Sequence, residues 1–181
     1  MKTTIKTKDM VISALLIAIG ILIPMIFTGP PFRIIVGPYS ATLMAHVPVI
    51  IAMFISPATA VFTAIGTTIG FFFTAPLVVA VRAASHIIFA IMGASLIKHG
   101  MKAIPVCLLT GIVHAIVEAI VVLIFFATGA STPQEGYSVI SMTLITGVGT
   151  LAHHIVDFII AYIVAKALSK AKFMANLPKL I

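Results

Sequence analysis

The chain has 181 residues, of which 61% are hydrophobic and only 8% charged, and its formal net charge is +7. Soluble domains average roughly 45–50% apolar and about 25% charged residues, so a chain of this composition cannot cover a water-facing surface and is read as a membrane protein. The basic residues are not interleaved with aromatics on one face, which argues against nucleic acid and for a lipid bilayer as their surroundings.

Six apolar stretches lie near the ~20 residues that cross a hydrocarbon core, which predicts a single all-α integral membrane domain over residues 1–181 with six transmembrane helices. The first runs over 10–27 and stops at Gly29-Pro30-Pro31. Lysines precede it, as in a signal peptide, but the run is as long as a span and lacks a small-x-small cleavage site, so it is read as a retained helix. The segment from Gly29 to Pro38 carries turn residues at both ends and is expected to form a stiff outer loop over a cavity, with Phe32 and Tyr39 as aromatic contacts.

The second and third helices are placed at 40–55 and 58–73, joined by Ser56 and Pro57. Both are short and share an uncharged connection, so one of them is expected to be tilted, broken or only partly spanning. Thr59, Thr63 and Thr67 are expected to hydrogen-bond within the bundle, and Gly66 and Gly70 to form an internal packing strip. The fourth, fifth and sixth helices are placed at 76–97, 104–127 and 139–168. Cys107 has no cysteine partner and is read as a packing residue.

Lysines occur only at 2, 6 and 8, at 98 and 102, and at 166, 170, 172 and 179. With a cytoplasmic N-terminus, every one of them falls on the inner side, and the outer loops carry only Arg33 and Glu135. That asymmetry predicts both termini inside.

No Gly-rich loop ending in Gly-Lys-Ser/Thr is present, nor His-Glu-x-x-His or Gly-x-Ser-x-Gly, so neither ATP binding nor a familiar hydrolase is indicated, and no catalytic residue is assigned. The polar material inside the spans is confined to hydroxyls, histidines and three charges: Arg82, Glu118 and Asp157. A charge at the centre of a spanning helix costs about 2.5–3.5 kcal/mol on insertion scales, so each must face inward and find a partner or water. Arg82 with His86 one turn deeper, His46, Glu118 with His114, and His153 with Asp157 converge on the outer half and centre of the bundle. They are candidate ligand contacts; the plain alternative is that they pair with one another and lock the helices together. His99, in the inner loop, is read as an ordinary exposed histidine.

Residues 114–118 read His-Ala-Ile-Val-Glu and 153–157 read His-His-Ile-Val-Asp. Each places an imidazole one turn before a carboxylate that can orient it. Two such pairs on neighbouring helices could also hold a divalent metal, but this spacing is common and no metal ligand is assigned. An intramembrane metal-dependent enzyme and a proton-coupled secondary transporter are the rival classes.

Ala14 and Ala18 form a flat strip on the first helix. With the run Ser40-Ala-Thr-Leu-Met-Ala-His46-Val-Pro48, the Ile55-Ser-Pro57 break and six helices over the whole length, the chain resembles the substrate-binding subunit (S component) of an energy-coupling factor (ECF) transporter. The resemblance implies a subunit of a prokaryotic cell membrane that captures a water-soluble vitamin from outside, then docks through Ala14 and Ala18 on a transmembrane coupling subunit driven by two cytoplasmic ATPases. It rotates in the membrane to release the vitamin; ATP is used by the partners, and this chain needs no cofactor of its own. The implied site lies at the outer ends of the later helices, so Tyr39, His46, Arg82, His86, His114, Glu118, His153 and Asp157 are its expected ligand contacts. The start Met1-Lys2-Thr3 departs from the cation-transporting branch of that family. A niacin-like small acid, neutralised by Arg82 and stacked on Tyr39 or Phe73, ranks first as substrate and a corrinoid second.

Overall fold

In a computed structural model, which describes residues 7–37 and 39–170, the chain is predominantly helical. Lys2, Lys6, Lys172, Lys179 and the Met1-Lys2-Thr3 start lie outside the described residues. The element order is α1 (Thr7–Ile26), β1 (Arg33–Val36), β2 (Tyr39–Thr42), α2 (Val47–Ile55), α3 (Pro57–Thr74), α4 (Leu77–Lys98), α5 (Ala103–Ala127) and α6 (Val139–Lys170).

Five helices, α1 and α3 to α6, are long and apolar enough to cross a membrane. The second expected span is not. Helix α2 has nine residues, which at ~1.5 Å per residue reaches about half of a ~30 Å hydrocarbon core. The residues expected to begin it form a hairpin instead, with Arg33 opposite Thr42 and Val36 opposite Tyr39, so the domain is not purely α-helical. The helix cannot extend back through this stretch for two reasons. Met44 takes a left-handed backbone at φ 69°, and the Leu43 N–H donates to the Phe32 carbonyl at 2.8 Å, tying the chain to the hairpin. Pro48, in the first turn of α2, stands where a helix begins.

Contacts fix the directions of the helices. Any side chain at Gly66 would meet Ile17, and any at Gly70 would meet Ile21, so α1 and α3 run parallel in close contact, as the glycine strip predicts. Arg82 meets Glu118 and Gly93 faces Thr110, so α4 and α5 are antiparallel. His114 meets His154 and Glu118 meets Thr150, so α5 and α6 are antiparallel too. Phe54 packs on Phe158 and Tyr162 while His46 lies beside Asp157, so α2 runs with α6. Consequently Lys8, Lys98, Lys102, Lys166 and Lys170 share one end of the bundle, and the hairpin and Glu135 lie toward the other.

The two halves differ in filling. The lysine half holds the apolar core, where Ile50, Phe54, Phe89, Val106 and Phe158 are buried among Ala90, Ala94, Ala161 and Ala165. Cys107 is buried there as a free thiol. The other half holds the polar cluster. Between the walls, the Thr67 hydroxyl donates to the Thr63 and Ala64 carbonyls at 2.9 and 3.0 Å. The Thr68 hydroxyl reaches from Ala64 to the Ala83 carbonyl on α4 at 3.0 Å. Large apolar side chains such as Leu15, Ile69, Ile88, Ile116 and Ile159 point outward, as lipid-facing residues must.

Candidate functional site

Helical spacing brings the polar residues onto inward stripes. On α4 the buried positions include Arg82, His86 and Phe89; on α5, Thr110, His114 and Glu118; on α6, Thr146, Thr150, His154 and Asp157. Each set recurs every three or four residues and so lines one face. The hairpin and the turn after it enter between these helices and supply Tyr39 and His46, both buried. Non-helical backbone at membrane depth is tolerated only where protein or a cavity satisfies its polar groups.

Asp157 performs that task. Its Oδ1 accepts from the Met44 N–H at 2.8 Å and its Oδ2 from the His46 N–H at 2.9 Å. The same Oδ2 lies 3.2 Å from His46 Nδ1 and 3.2 Å from His153 Nε2. A fully buried carboxylate thus caps the start of α2, where the helix dipole also favours negative charge. His153 Nε2 lies 3.0 Å from the Thr42 carbonyl; a carbonyl only accepts, so this nitrogen carries the proton.

Glu118 organises the second centre. Arg82 donates to its Oε2 from Nε at 3.1 Å and from Nη2 at 2.7 Å, and the Thr150 hydroxyl donates at 2.6 Å. Its Oε1 faces His114 Nε2 at 3.2 Å and His86 Nε2 at 3.5 Å. Arg82 also donates to the Ser40 carbonyl at 3.2 Å and lies 5.5 Å from the centre of the Tyr39 ring. Tyr39 fits under it because residue 149 is glycine: a Cβ there would stand 2.5 Å from Tyr39 Cζ. Burial pushes the Tyr39 phenol up from its ordinary range, despite the nearby guanidinium.

The two centres meet at His46. Its ring centroid lies 4.7 Å from His86, 4.7 Å from His114 and 4.5 Å from His153. Above them opens a cavity of about 290 Å³ lined by Arg33, Ser40, Thr42, His46, Phe71, Arg82, His86, Glu118 and His153 among others.

All eight residues expected at the site from the sequence are therefore gathered in one cluster, but not all in the cavity wall. His46, Arg82, His86, Glu118 and His153 line it; Tyr39, His114 and Asp157 stand behind them as supports. The aromatic expectations need correction. Phe73 is 85% exposed and faces away from the cavity, and Phe32 stacks on Phe27 at 4.9 Å instead of capping it. Phe71, two residues earlier and so on the opposite side of α3, is the ring in the wall. The sequence reading also missed Arg33, whose Nε is buried without a hydrogen-bond partner. It missed Thr110 and Thr150 as well, and it left His154, which lies in the converging polar set beside His153, without a role, although Thr150, His154 and Asp157 share a helical period that marks them. His99 is exposed, as expected, with its Nδ1 2.7 Å from the Ser95 carbonyl.

Comparison with known proteins points to a transporter. The chain is 37% identical over 174 residues to Niacin transporter NiaX of Lactococcus lactis subsp. cremoris, a match that covers 92% of this chain and 77% of the relative. No family model matches the chain, and no solved structure does.

Proposed function

Because the chain belongs to the substrate-binding S components of energy-coupling factor vitamin transporters, we propose that it captures a niacin-like small acid from the exterior for an ATP-driven importer. It is a transporter component and not an enzyme. The observation that carries the substrate reading is the cavity itself: about 290 Å³, at the lysine-poor end, with Arg33 at its wall and histidines at its floor. A single-ring carboxylic acid fits that space, whereas a corrinoid exceeds it; pockets for larger ligands run to ~1,000 Å³. The relative's substrate, niacin, has the expected size and charge.

Within this reading the roles of the two arginines differ. Arg82 is engaged with Glu118, the Ser40 carbonyl and the Tyr39 ring, so it stiffens the wall. Arg33, with its partnerless Nε, is the side chain that meets the incoming carboxylate. Phe71 and His46 offer faces for the ring.

The lysine end faces the cytoplasm in this proposal, since cytoplasmic connections collect Lys and Arg. Both termini are then inside, and the bilayer is the cell membrane of a prokaryote. Ala14 and Ala18 lie on the outward side of α1, among exposed Val11, Leu15, Ile19 and Leu22. Small residues there let a helix of the transmembrane coupling subunit approach closely, and two cytoplasmic ATPases supply the energy that this chain has no motif to harvest. Uptake of labelled nicotinate into cells carrying the chain tests this: it should require both the coupling subunit and the ATPases. Undiminished uptake in cells lacking them would favour a stand-alone carrier.

A further inference from the structure

Beneath the cavity, four side chains bring metal-ligating atoms together. His46, His86, His114 and Glu118 each offer one donor atom, and these lie within 4.8 Å of one another. All four are buried. They come from the turn after the hairpin, α4 and α5, so the arrangement is not the pair of His-acid helices that spacing alone suggests.

The hydrogen bonds fix where the protons are. The Thr110 hydroxyl donates to the Val106 carbonyl at 2.7 Å, so toward His154 Nε2, 3.0 Å away, it accepts. His154 therefore carries its proton on Nε2, and its Nδ1 is an acceptor. His114 Nδ1, 3.1 Å from that atom, must then be the donor. That leaves His114 Nε2 with a bare lone pair, facing Glu118 Oε1 at 3.2 Å. Two acceptors are set against each other at the floor of the cavity, and the buried His114 Nε2 has no hydrogen-bond partner. Such an arrangement is unfavourable unless a cation sits between them.

His46 Nδ1 lies 3.2 Å from the Asp157 carboxylate without a hydrogen bond to it, and the His46 ring stands 4.7 Å from both the His86 and the His114 rings. Asp157 beside His46 and His154 behind His114 match the outer support usual for a metal-bound histidine. The other candidate group, His46, His153 and Asp157, fails this test. Its carboxylate oxygens already accept from backbone N–H groups, and His153 Nε2 carries a proton.

We propose that His46, His86, His114 and Glu118 bind one divalent transition-metal ion of the zinc class on the floor of the cavity. Imidazole with a single carboxylate suits zinc, nickel and copper, and not magnesium or calcium. Bonds of ~2.0–2.1 Å at tetrahedral angles put donors about 3.4 Å apart, so the four side chains close in modestly around the ion.

The test uses the full chain, purified through a tag without histidines, stripped with chelator and titrated with Zn²⁺ or Co²⁺ alone. One tight equivalent of Zn²⁺ per chain is expected, and Co²⁺ should give the strong visible absorption of a four-coordinate site. His86→Ala and His114→Ala should each weaken Zn²⁺ binding beyond the roughly 10–100-fold that loss of an outer-shell partner costs. His154→Ala should fall within that range, and His99→Ala should change nothing. The absence of a stoichiometric Zn²⁺ equivalent in the unaltered chain would overturn the proposal, and would mean that a proton bridges His114 and Glu118. Binding unmoved in both His86→Ala and His114→Ala would overturn it equally. Nicotinate binding, measured separately on stripped and reloaded protein, decides the substrate reading independently: metal uptake without nicotinate binding leaves this site standing and removes only that reading.

Discussion

Asp157 accepts the His46 backbone N–H at 2.9 Å and lies 3.2 Å from the ring Nδ1 of the same residue. A residue in the middle of the last helix thereby determines where the half-length second helix starts and which way its first side chain points. Fold and site depend on the same carboxylate. Asp157→Asn keeps the shape but replaces one acceptor oxygen by an NH₂ group that opposes a backbone N–H. The expected loss is about 1–3 kcal/mol of stability, with weaker substrate binding because His46 is released. Thermal unfolding and ligand titration of the purified variant check both.

Arg82 and Glu118 form a buried ion pair at 2.7 Å. Removing one partner strands the other charge, so Arg82→Met and Glu118→Leu should each cost about 3–5 kcal/mol. The double variant should recover much of that loss, since no uncompensated charge is left. A double-mutant cycle on unfolding midpoints measures this. Strict additivity of the two losses would mean that the pair is not coupled.

Arg33 should behave differently. It lines the cavity from the hairpin, and its Nε has no partner to strand. Arg33→Met is expected to weaken binding of an anionic ligand by about 1.5–3 kcal/mol, typical of a charged hydrogen bond, with little change in unfolding. Comparing nicotinate with its uncharged amide should show the variant's loss confined to the acid.

Ala14→Leu and Ala18→Leu alter only the outward side of α1, where both alanines are exposed. Uptake by whole cells should fall to background while binding by the purified chain is unchanged. Full uptake by either variant would remove that strip from the docking surface.

Much of this site was legible in the sequence because burying charge in lipid is costly. Arg82, Glu118 and Asp157 could only face inward, and a histidine one turn from each carboxylate was bound to lie beside it; both pairs do so at 3.2 Å. Glycines four apart on α3 likewise announced a close helix contact. The hairpin was not legible. Residues 40–47 are apolar enough to continue a span, and the helix start at Pro48 was the one signal against it. Nor could spacing reveal that the hairpin delivers His46 against His86 and His114, or that Arg33, read as a loop charge, turns into the cavity. Those contacts join residues 40 or more positions apart and depend on how the turn is held. The choice between Phe71 and Phe73 was lost for a local reason: both are apolar, and only the rotation of α3 decides which one faces in.

The most direct measurement is equilibrium binding of labelled nicotinate to the purified chain in lipid nanodiscs, without coupling subunit or ATP. Saturable one-to-one binding, competed by unlabelled acid and weakened in Arg33→Met, is the predicted result. No specific binding of nicotinate by the folded chain would contradict the assignment of this pocket to a small acid.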